Sequence, residues 1–440
     1  MEFSAFPLLL FKLFDRFTVL AVFCTIFCLV FDFMKRRKTC GNYPPGPRGW
    51  PFVGNILQVD LSNPHLSFAK LWKKYGDVVS LEFGWTNLVV LSGYKTLKEA
   101  LVKKSEDFAD RPSFPIYKKL FEQHGEGIVF AKYGDWWKQQ RKFSLMTLKN
   151  FGLGKKSLEL QIVEEAEFLI EGFESEQGPQ NKIFQNQDKI IQFFQDVIMS
   201  HKETWDPNYT RDFIDALLTQ QEKTKNDPNT SFVETKMIMT VAGLFAAGTE
   251  TTSTTLSWGL LFMVLHPDVQ SRVHEEIDRV IGKGRRPRLE DWEEMPFTNA
   301  VIHETQRLGN IVPISLPHQT YRDTTVMGYT IPKGTMIIPN ISSALLDEDI
   351  WLTPHQFNPG HFLDSDGKFV KPEAFIPFSA GHRVCLGEQL AKTKLFIFFT
   401  SMLQRFTFFL PGNEARPSYK EARFGITLRP LPYRLCVKAR

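Results

Sequence analysis

The stretch Thr235–Leu265 constrains the fold most. It is apolar on nearly every side, with Lys236 and Glu250 as its only charged residues. A helix that is hydrophobic all round must be buried all round. It therefore reads as one long central helix, around which the rest of a mainly α chain has to pack. Within it, Ala247-Gly248-Thr249-Glu250-Thr251-Thr252 combines a glycine with clustered hydroxyls. These divert i→i−4 hydrogen bonds, so a local kink is expected there.

A chain built on such a helix needs a large apolar interior, and the composition supplies one. Hydrophobic residues make up 43% and charged residues 23% of 440, which excludes disordered and collagen-like chains. Phenylalanine occurs 40 times, which gives room for an apolar or aromatic guest. The net charge is +4, with the basic excess concentrated in residues 1–38. The remainder is near neutral and carries no field suited to nucleic acid. The cysteines Cys24, Cys28, Cys40, Cys385 and Cys436 are odd in number and include no CxxC pair, so neither a disulfide framework nor structural zinc is expected.

Residues 1–38 read as a membrane anchor. Phe17–Phe31 is free of charge and is followed by Lys35-Arg36-Arg37-Lys38. As a helix the run spans about 22 Å, short of a full bilayer core, and local thinning or the preceding Phe6–Phe14 stretch would supply the rest. Basic residues stand where a signal-peptide cleavage site would lie, and their position leaves the following chain in the cytosol. Residues 39–51, with Tyr43-Pro44-Pro45-Gly46-Pro47, form a stiff linker. Residues 52–440 form the globular domain. Its predicted helices are His65–Tyr75, Ser157–Phe173, Lys182–Lys202, Val269–Ile281, Pro296–Leu308 and Leu386–Gln404. Strands are expected at Val78–Phe83, Leu88–Leu91 and within Thr320–Ile338, a minor β part near the N-terminal side.

The chemistry centres on Phe378-Ser379-Ala380-Gly381-His382-Arg383-Val384-Cys385-Leu386-Gly387-Glu388. Gly381 and Gly387 permit close backbone approach on either side of Cys385. The following helix points free N–H groups at the sulfur, and Arg383 adds a cation, so thiolate is favoured. A lone thiolate in an apolar loop suits one axial bond to haem iron, where its electron donation helps O–O cleavage. A free cysteine is more often merely buried, but Phe-x-x-Gly-x-Arg-x-Cys-x-Gly is far more specific than a lone cysteine. It resembles the signature of the cytochrome P-450 superfamily of haem-thiolate monooxygenases.

That resemblance runs from about Pro44 to the C-terminus and is strongest to the microsomal family-2 members, the J-like group in particular. It implies haem b held by Cys385, with Phe378, Gly381 and Gly387 shaping the loop. Arg111, Trp137, Arg141, His318 and Arg383 would grip the haem carboxylates. Glu304 and Arg307 match the family's Glu-x-x-Arg helix, and His361 would be their partner, a histidine usual in family 2 where many members have arginine. Thr251 would hydrogen-bond dioxygen or a water, and Glu250 would feed protons. Phe114, Ala247, Val312 and Phe424 fall at substrate-pocket positions. The implied activity is hydroxylation or epoxidation of an apolar fatty acid or xenobiotic at the endoplasmic reticulum. Electrons would come from NADPH through NADPH–cytochrome P-450 reductase, facing Lys138, Arg141 and Lys142, with cytochrome b5 as a further donor.

One departure stands out. Between Gln177 and Lys182 the chain passes from what normally follows a peripheral helix to what normally follows the substrate-roof helix. The intervening stretch, long enough for about two helices, is missing, which would bare apolar surface and open the site to water. Two alternatives therefore stand beside monooxygenase activity: a shortened, impaired haem-binding isoform, and a reductase-independent lipid-peroxide isomerase.

Overall fold

The structure is a computed structural model and describes residues 5–36, 41–113, 126–150, 181–412 and 414–440. Phe114, the helix expected at Ser157–Phe173 and most of the junction after Gln177 lie outside the described residues. The longer helices come first as α1 (Ala5–Arg36) and α2 (Pro64–Tyr75), then the short α3 (Tyr94–Lys98) and α4 (Asp135–Asn150). They continue as α5 (Asn181–Thr204), α6 (Phe213–Lys223), α7 (Glu234–Leu265), α8 (Pro267–Val280), α9 (Pro296–Gly309), the short α10 (Ile341–Leu345) and α11 (Glu388–Arg405). The fold is mainly α, as the sequence implies, and α7 is its axis.

The C-terminal half of α7 is enclosed. Trp258, Leu261, Phe262 and Met263 pack with Val273 and Ile277 of α8, Val301 of α9 and Phe396 and Leu403 of α11. Fully burying each such side chain is worth about 1.5–3 kcal/mol, so this four-helix contact is the main stabilising core. Pro at the first turn starts α2, α8 and α9, where its missing N–H costs nothing. Asn310, in the left-handed conformation at φ 44°, ends α9. The N-terminal part of α7 packs instead on α5 and α6 through Met237, Ile238, Phe194, Ile198 and Leu217.

The main sheet joins β1 (Val78–Phe83), β2 (Thr86–Leu91), β6 (Met336–Pro339) and β3 (His318–Gln319) in the order β1-β2-β6-β3. The β1–β2 hairpin is antiparallel and β2 runs parallel to β6. Alternate residues enter different cores: Val89, Leu91 and Ile337 on one face, Leu88, Val90, Met336 and Ile338 on the other. A small hairpin, β4 (Thr324–Val326) with β5 (Tyr329–Ile331), lies beside it in sequence. The β part is not confined to the N-terminal side, however. Two further pairs lie near the C-terminus: β7 (Phe406–Phe409) with β10 (Cys436–Ala439), and β8 (Ala422–Phe424) with β9 (Leu428–Pro430). These strands are short and show little polar–apolar alternation, which hides them from periodicity.

At the other end, α1 carries Phe17, Val19, Leu20, Val22, Phe23, Ile26 and Phe27 exposed. Among the described residues, no helix is long and apolar enough to cross a membrane. The Asp32 carboxylate of α1 is buried and accepts hydrogen bonds from Trp85 Nε1 (3.0 Å) and the Phe52 amide (3.3 Å). The end of α1 is thereby docked on the β1–β2 turn.

Candidate active site

Cys385 lies between a 3₁₀ turn, Gly381–Arg383, and the first residue of α11. Its amide donates to the Phe378 carbonyl at 3.0 Å, and the His382 amide donates to Ser105 Oγ at 2.6 Å. Gly381 has φ +72°, and a Cβ there would sit 1.6 Å from the Leu101 carbonyl oxygen. Backbone thus meets backbone, and the loop is seated on the π-helical turn Glu99–Lys103. Gly381→Ala combines a left-handed φ with a direct clash, so it should cost well over about 1 kcal/mol. Urea unfolding should show a lower midpoint, and a Gly387→Ala control should not. At Gly387 nothing lies within 4 Å of an added Cβ, so the backbone-to-backbone contact is at Gly381.

The Cys385 side chain is solvent-accessible, yet burial pushes its thiol pKa up. The Gly387 amide and Arg141 pull the pKa down, while Glu388 raises it; burial outweighs them. The helix-end amide of Gly387 acts in the direction expected of it, toward thiolate. The cation acting on the sulfur is Arg141. Arg383 turns away, its Nε donating to the Ala109 carbonyl and its Nη2 to the Ala131 carbonyl, both at 2.7 Å.

The predicted carboxylate-gripping residues converge near this loop. Arg383 and Arg141 lie over the Trp137 ring, at 4.0 and 5.4 Å from its centre. Arg141 Nη2 donates to the Val384 carbonyl at 2.7 Å. Arg111 Nη1 donates to Pro317 (2.7 Å) and Leu316 (3.1 Å) carbonyls. Buried His318 has Nδ1 2.7 Å from the Phe108 carbonyl, and burial together with Arg111 holds its pKa well below the usual value. Trp137 Nε1–H donates to the Ile128 carbonyl at 3.0 Å, and its ring lies under the two guanidiniums. Asp110, adjoining Arg111, is the acid that acts on Arg383. Ser105 and Asp110, in no recognised catalytic pattern, give no signal in the sequence.

These residues fit a haem. Burial and the charges of Arg111 and Arg141 act together against the Arg383 cation. Its Nη1 is buried and has no hydrogen-bond partner. Such a cluster is costly unless anions complete it, and two propionates would. Cys385 supplies a sulfur donor beside it, and the positions a Cβ would take at Gly387 and Gly248 are clear.

On α7 the helix runs unbroken through the expected kink. The hydroxyls bond back one turn: Thr251 Oγ1 to Ala247 (2.8 Å), Thr255 Oγ1 to Thr251 (2.8 Å) and Ser253 Oγ to Thr249 (2.9 Å) carbonyls. Phe245–Thr249 is exposed, contrary to full burial of this helix. Ala247 is among these exposed residues, Val312 is half-buried, and Phe424 stacks on His65 at 5.5 Å. A cavity of about 660 Å³ lies beside α7, bounded by Ser253, Leu260, Met402, Phe406 and Tyr433; Ala247, Val312 and Phe424 do not line it.

Glu250 is half-buried and turned toward β9. Its Oε1 accepts from Arg429 Nε at 2.8 Å and from the Thr427 hydroxyl, and its Oε2 accepts from Arg429 Nη2. Burial works to raise its pKa, but the bonds from Arg429 and Thr427 prevail and hold it below the usual carboxylate range. This partnership spans α7 and the last hairpin, and no local motif announces it.

Glu304, Arg307 and His361 meet in the core. Arg307 Nε and Nη2 each donate to Glu304 at 2.7 Å, and both residues are fully buried. His361 Nδ1 lies 3.2 Å from Glu304 Oε2.

The cytochrome P450 family model matches residues 44–185 and 177–437. The chain belongs to this family and is a monooxygenase that uses haem. Cytochrome P450 2D3 of Rattus norvegicus is 44% identical over 486 residues, covering 95% of this chain and 97% of the relative. Cytochrome P450 2D20 of Mesocricetus auratus is 44% identical over 488 residues, with the same coverage. Cytochrome P450 2D9 of Mus musculus is 43% identical over 489 residues, covering 96% and 97%. These relatives support family 2 and carry D-subfamily names, where the resemblance pointed to the J-like group. The two matched segments meet at 177–185, where the sequence passes abruptly from one helix context to another. The alignments run longer than the 440 residues of the chain, as a missing internal stretch requires.

Proposed function

We propose that the chain is a membrane-anchored haem-thiolate monooxygenase of the endoplasmic reticulum that inserts one atom of O2 into an apolar fatty acid or xenobiotic. The observation that carries this is Cys385, a lone exposed sulfur close to a buried cation cluster that two carboxylates would complete. Cys385 would hold the iron, and Arg111, Arg141, Arg383 and His318 the propionates. Haem supplies, when bound, the electron-transfer and dioxygen chemistry. Thr251 presents a hydroxyl on the central helix, and Glu250 is the adjacent acid for moving protons. Residues 1–38, with the exposed apolar side chains of α1, form the anchor, 39–51 the linker and 52–440 the catalytic domain. Lys138 and Lys142 on α4 are exposed and suit an acidic NADPH–cytochrome P-450 reductase, with cytochrome b5 as a second donor.

A second reading rests on the exposure of Phe245–Thr249. A central helix open to water would let the chain bind haem yet consume NADPH without making product. The test is turnover with reductase, NADPH and a fatty acid, scoring oxygenated product per NADPH. Product carrying one atom from labelled O2 supports the monooxygenase, and Thr251→Ala should lower product per NADPH by about 10²-fold. NADPH loss without product supports the impaired isoform. Turnover of a lipid peroxide without reductase, unaffected by Thr251→Ala, supports the isomerase.

A further inference from the structure

We propose that Arg429, with Thr427, is a positioning residue for Glu250, and that the β8–β9 hairpin clamps this acid between rounds of proton delivery. The proposal rests on the reading of Glu250 as the proton-delivering acid.

The contact has the form of a fork on a fork. Arg429 presents Nε to one carboxylate oxygen and Nη2 to the other, the arrangement in which guanidinium–carboxylate pairs are strongest. Thr427, itself buried, adds its hydroxyl to Oε1, and Thr254, one turn along α7, lies 3.5 Å from the same oxygen. The groups facing Glu250 are thus Thr254 on its own helix and Thr427 and Arg429 on the hairpin, and Arg429 is the charged one among them. The hairpin is tied to the helix independently of this pair. Trp258 Nε1 donates to the Leu428 carbonyl at 2.9 Å, and the Leu428 amide donates to the Ile311 carbonyl at 2.8 Å. The clamp can therefore open by side-chain rotation while the backbone stays in place.

Consecutive helical residues point about 100° apart. Glu250 leans toward Thr254 and the hairpin, while the Thr251 hydroxyl bonds back to Ala247. Held in this way, the carboxyl has its lone pairs occupied and favours the ionised form. The contact's stabilisation is present above the ordinary carboxylate range and is lost as pH falls through the lowered pKa. Clamped, the carboxylate is turned to the hairpin with its oxygens taken up by Arg429 and Thr427, so neither oxygen is free to pick up and pass on a proton. Donation requires release, and Arg429 is 58% exposed, so water can take the guanidinium at small cost.

The test uses the full chain with Arg429→Gln, Arg429→Lys and Glu250→Gln. The carboxyl titration of Glu250 is followed by ¹³C NMR in the chain without haem, and the split of NADPH between product and peroxide is followed across pH with reductase. Arg429→Gln should move the titration of Glu250 up toward the ordinary range. It should shift the acidic limb of the product profile the same way and change product per NADPH by about tenfold, less than loss of a general acid. Arg429→Lys, which keeps the charge but not the fork, should restore part of both shifts. Unchanged titration and unchanged NADPH split in Arg429→Gln, with an altered split in Glu250→Gln, would overturn the clamp and leave Glu250 as the acid. An unchanged split in Glu250→Gln would overturn the reading of Glu250 and the clamp with it.

Discussion

Cys385→Ser should abolish the red-shifted Soret band of the reduced, carbon-monoxide-treated protein and take product formation to the detection limit. Serine is close in size, and the backbone bonds that shape the loop are made by the Cys385 amide and by His382, Val384 and Gly381, none of which needs the sulfur. The fold should therefore survive, with unchanged helicity and urea midpoint. What is lost is a soft donor able to push electron density onto iron; an alcohol does not replace it. Because burial raises the thiol's pKa in the chain alone, iron binding itself must displace the proton, and haem uptake by the unaltered protein should release one proton that Cys385→Ser does not release. Proton release measured by indicator dye during haem titration checks this separately from activity. A Cys385→Ser protein with the original spectrum would remove the sulfur from the site.

Much of this architecture could be read from residue patterns. Apolar periodicity placed α5, α8 and α9 to within a few residues, because each carries a core-facing stripe, and continuous apolar character placed α7. The alternation around Gly84 located the β1–β2 turn, and the β2–β6 pairing was not visible because parallel neighbours lie far apart in sequence. Gly381 could be recognised as special because its need is local, a left-handed φ and a close carbonyl. The partners of Glu250, on a hairpin far along the chain, could not. Nor could the balance of electrostatics at Cys385. Sequence shows which charges are near in the chain, and Arg383 is near, but its guanidinium faces away while Arg141, from α4, faces the sulfur. Burial, which decides the thiol's preference, is a property of the whole fold.

The largest stability effect is expected at the buried pair. Arg307 uses its donors completely: Nε and Nη2 to Glu304, Nη1 to the Leu345 (2.9 Å) and Pro354 (2.8 Å) carbonyls, and Nη2 also to Gln356 (3.1 Å). The guanidinium also lies 5.0 Å from the centre of the Trp351 ring. Glu304 accepts in addition from the Asn358 amide at 2.8 Å. Replacing Glu304 with Ala leaves a cation with no counter-charge in the core, a change that costs about 3–5 kcal/mol. Arg307→Ala strands a carboxylate and three carbonyls and should cost as much. Set against a total stability of about 5–15 kcal/mol, either substitution should leave little folded protein. Arg307→Lys should fare scarcely better, since one ammonium cannot reach a carboxylate and three carbonyls set in a fork. His361→Gln should be milder, because Arg307 still neutralises Glu304. Urea midpoints and soluble yield would rank them, and the double variant Glu304→Ala/Arg307→Ala should lose clearly less than the sum of the two single changes. Strict additivity would mean that the pair contributes no coupling to the fold.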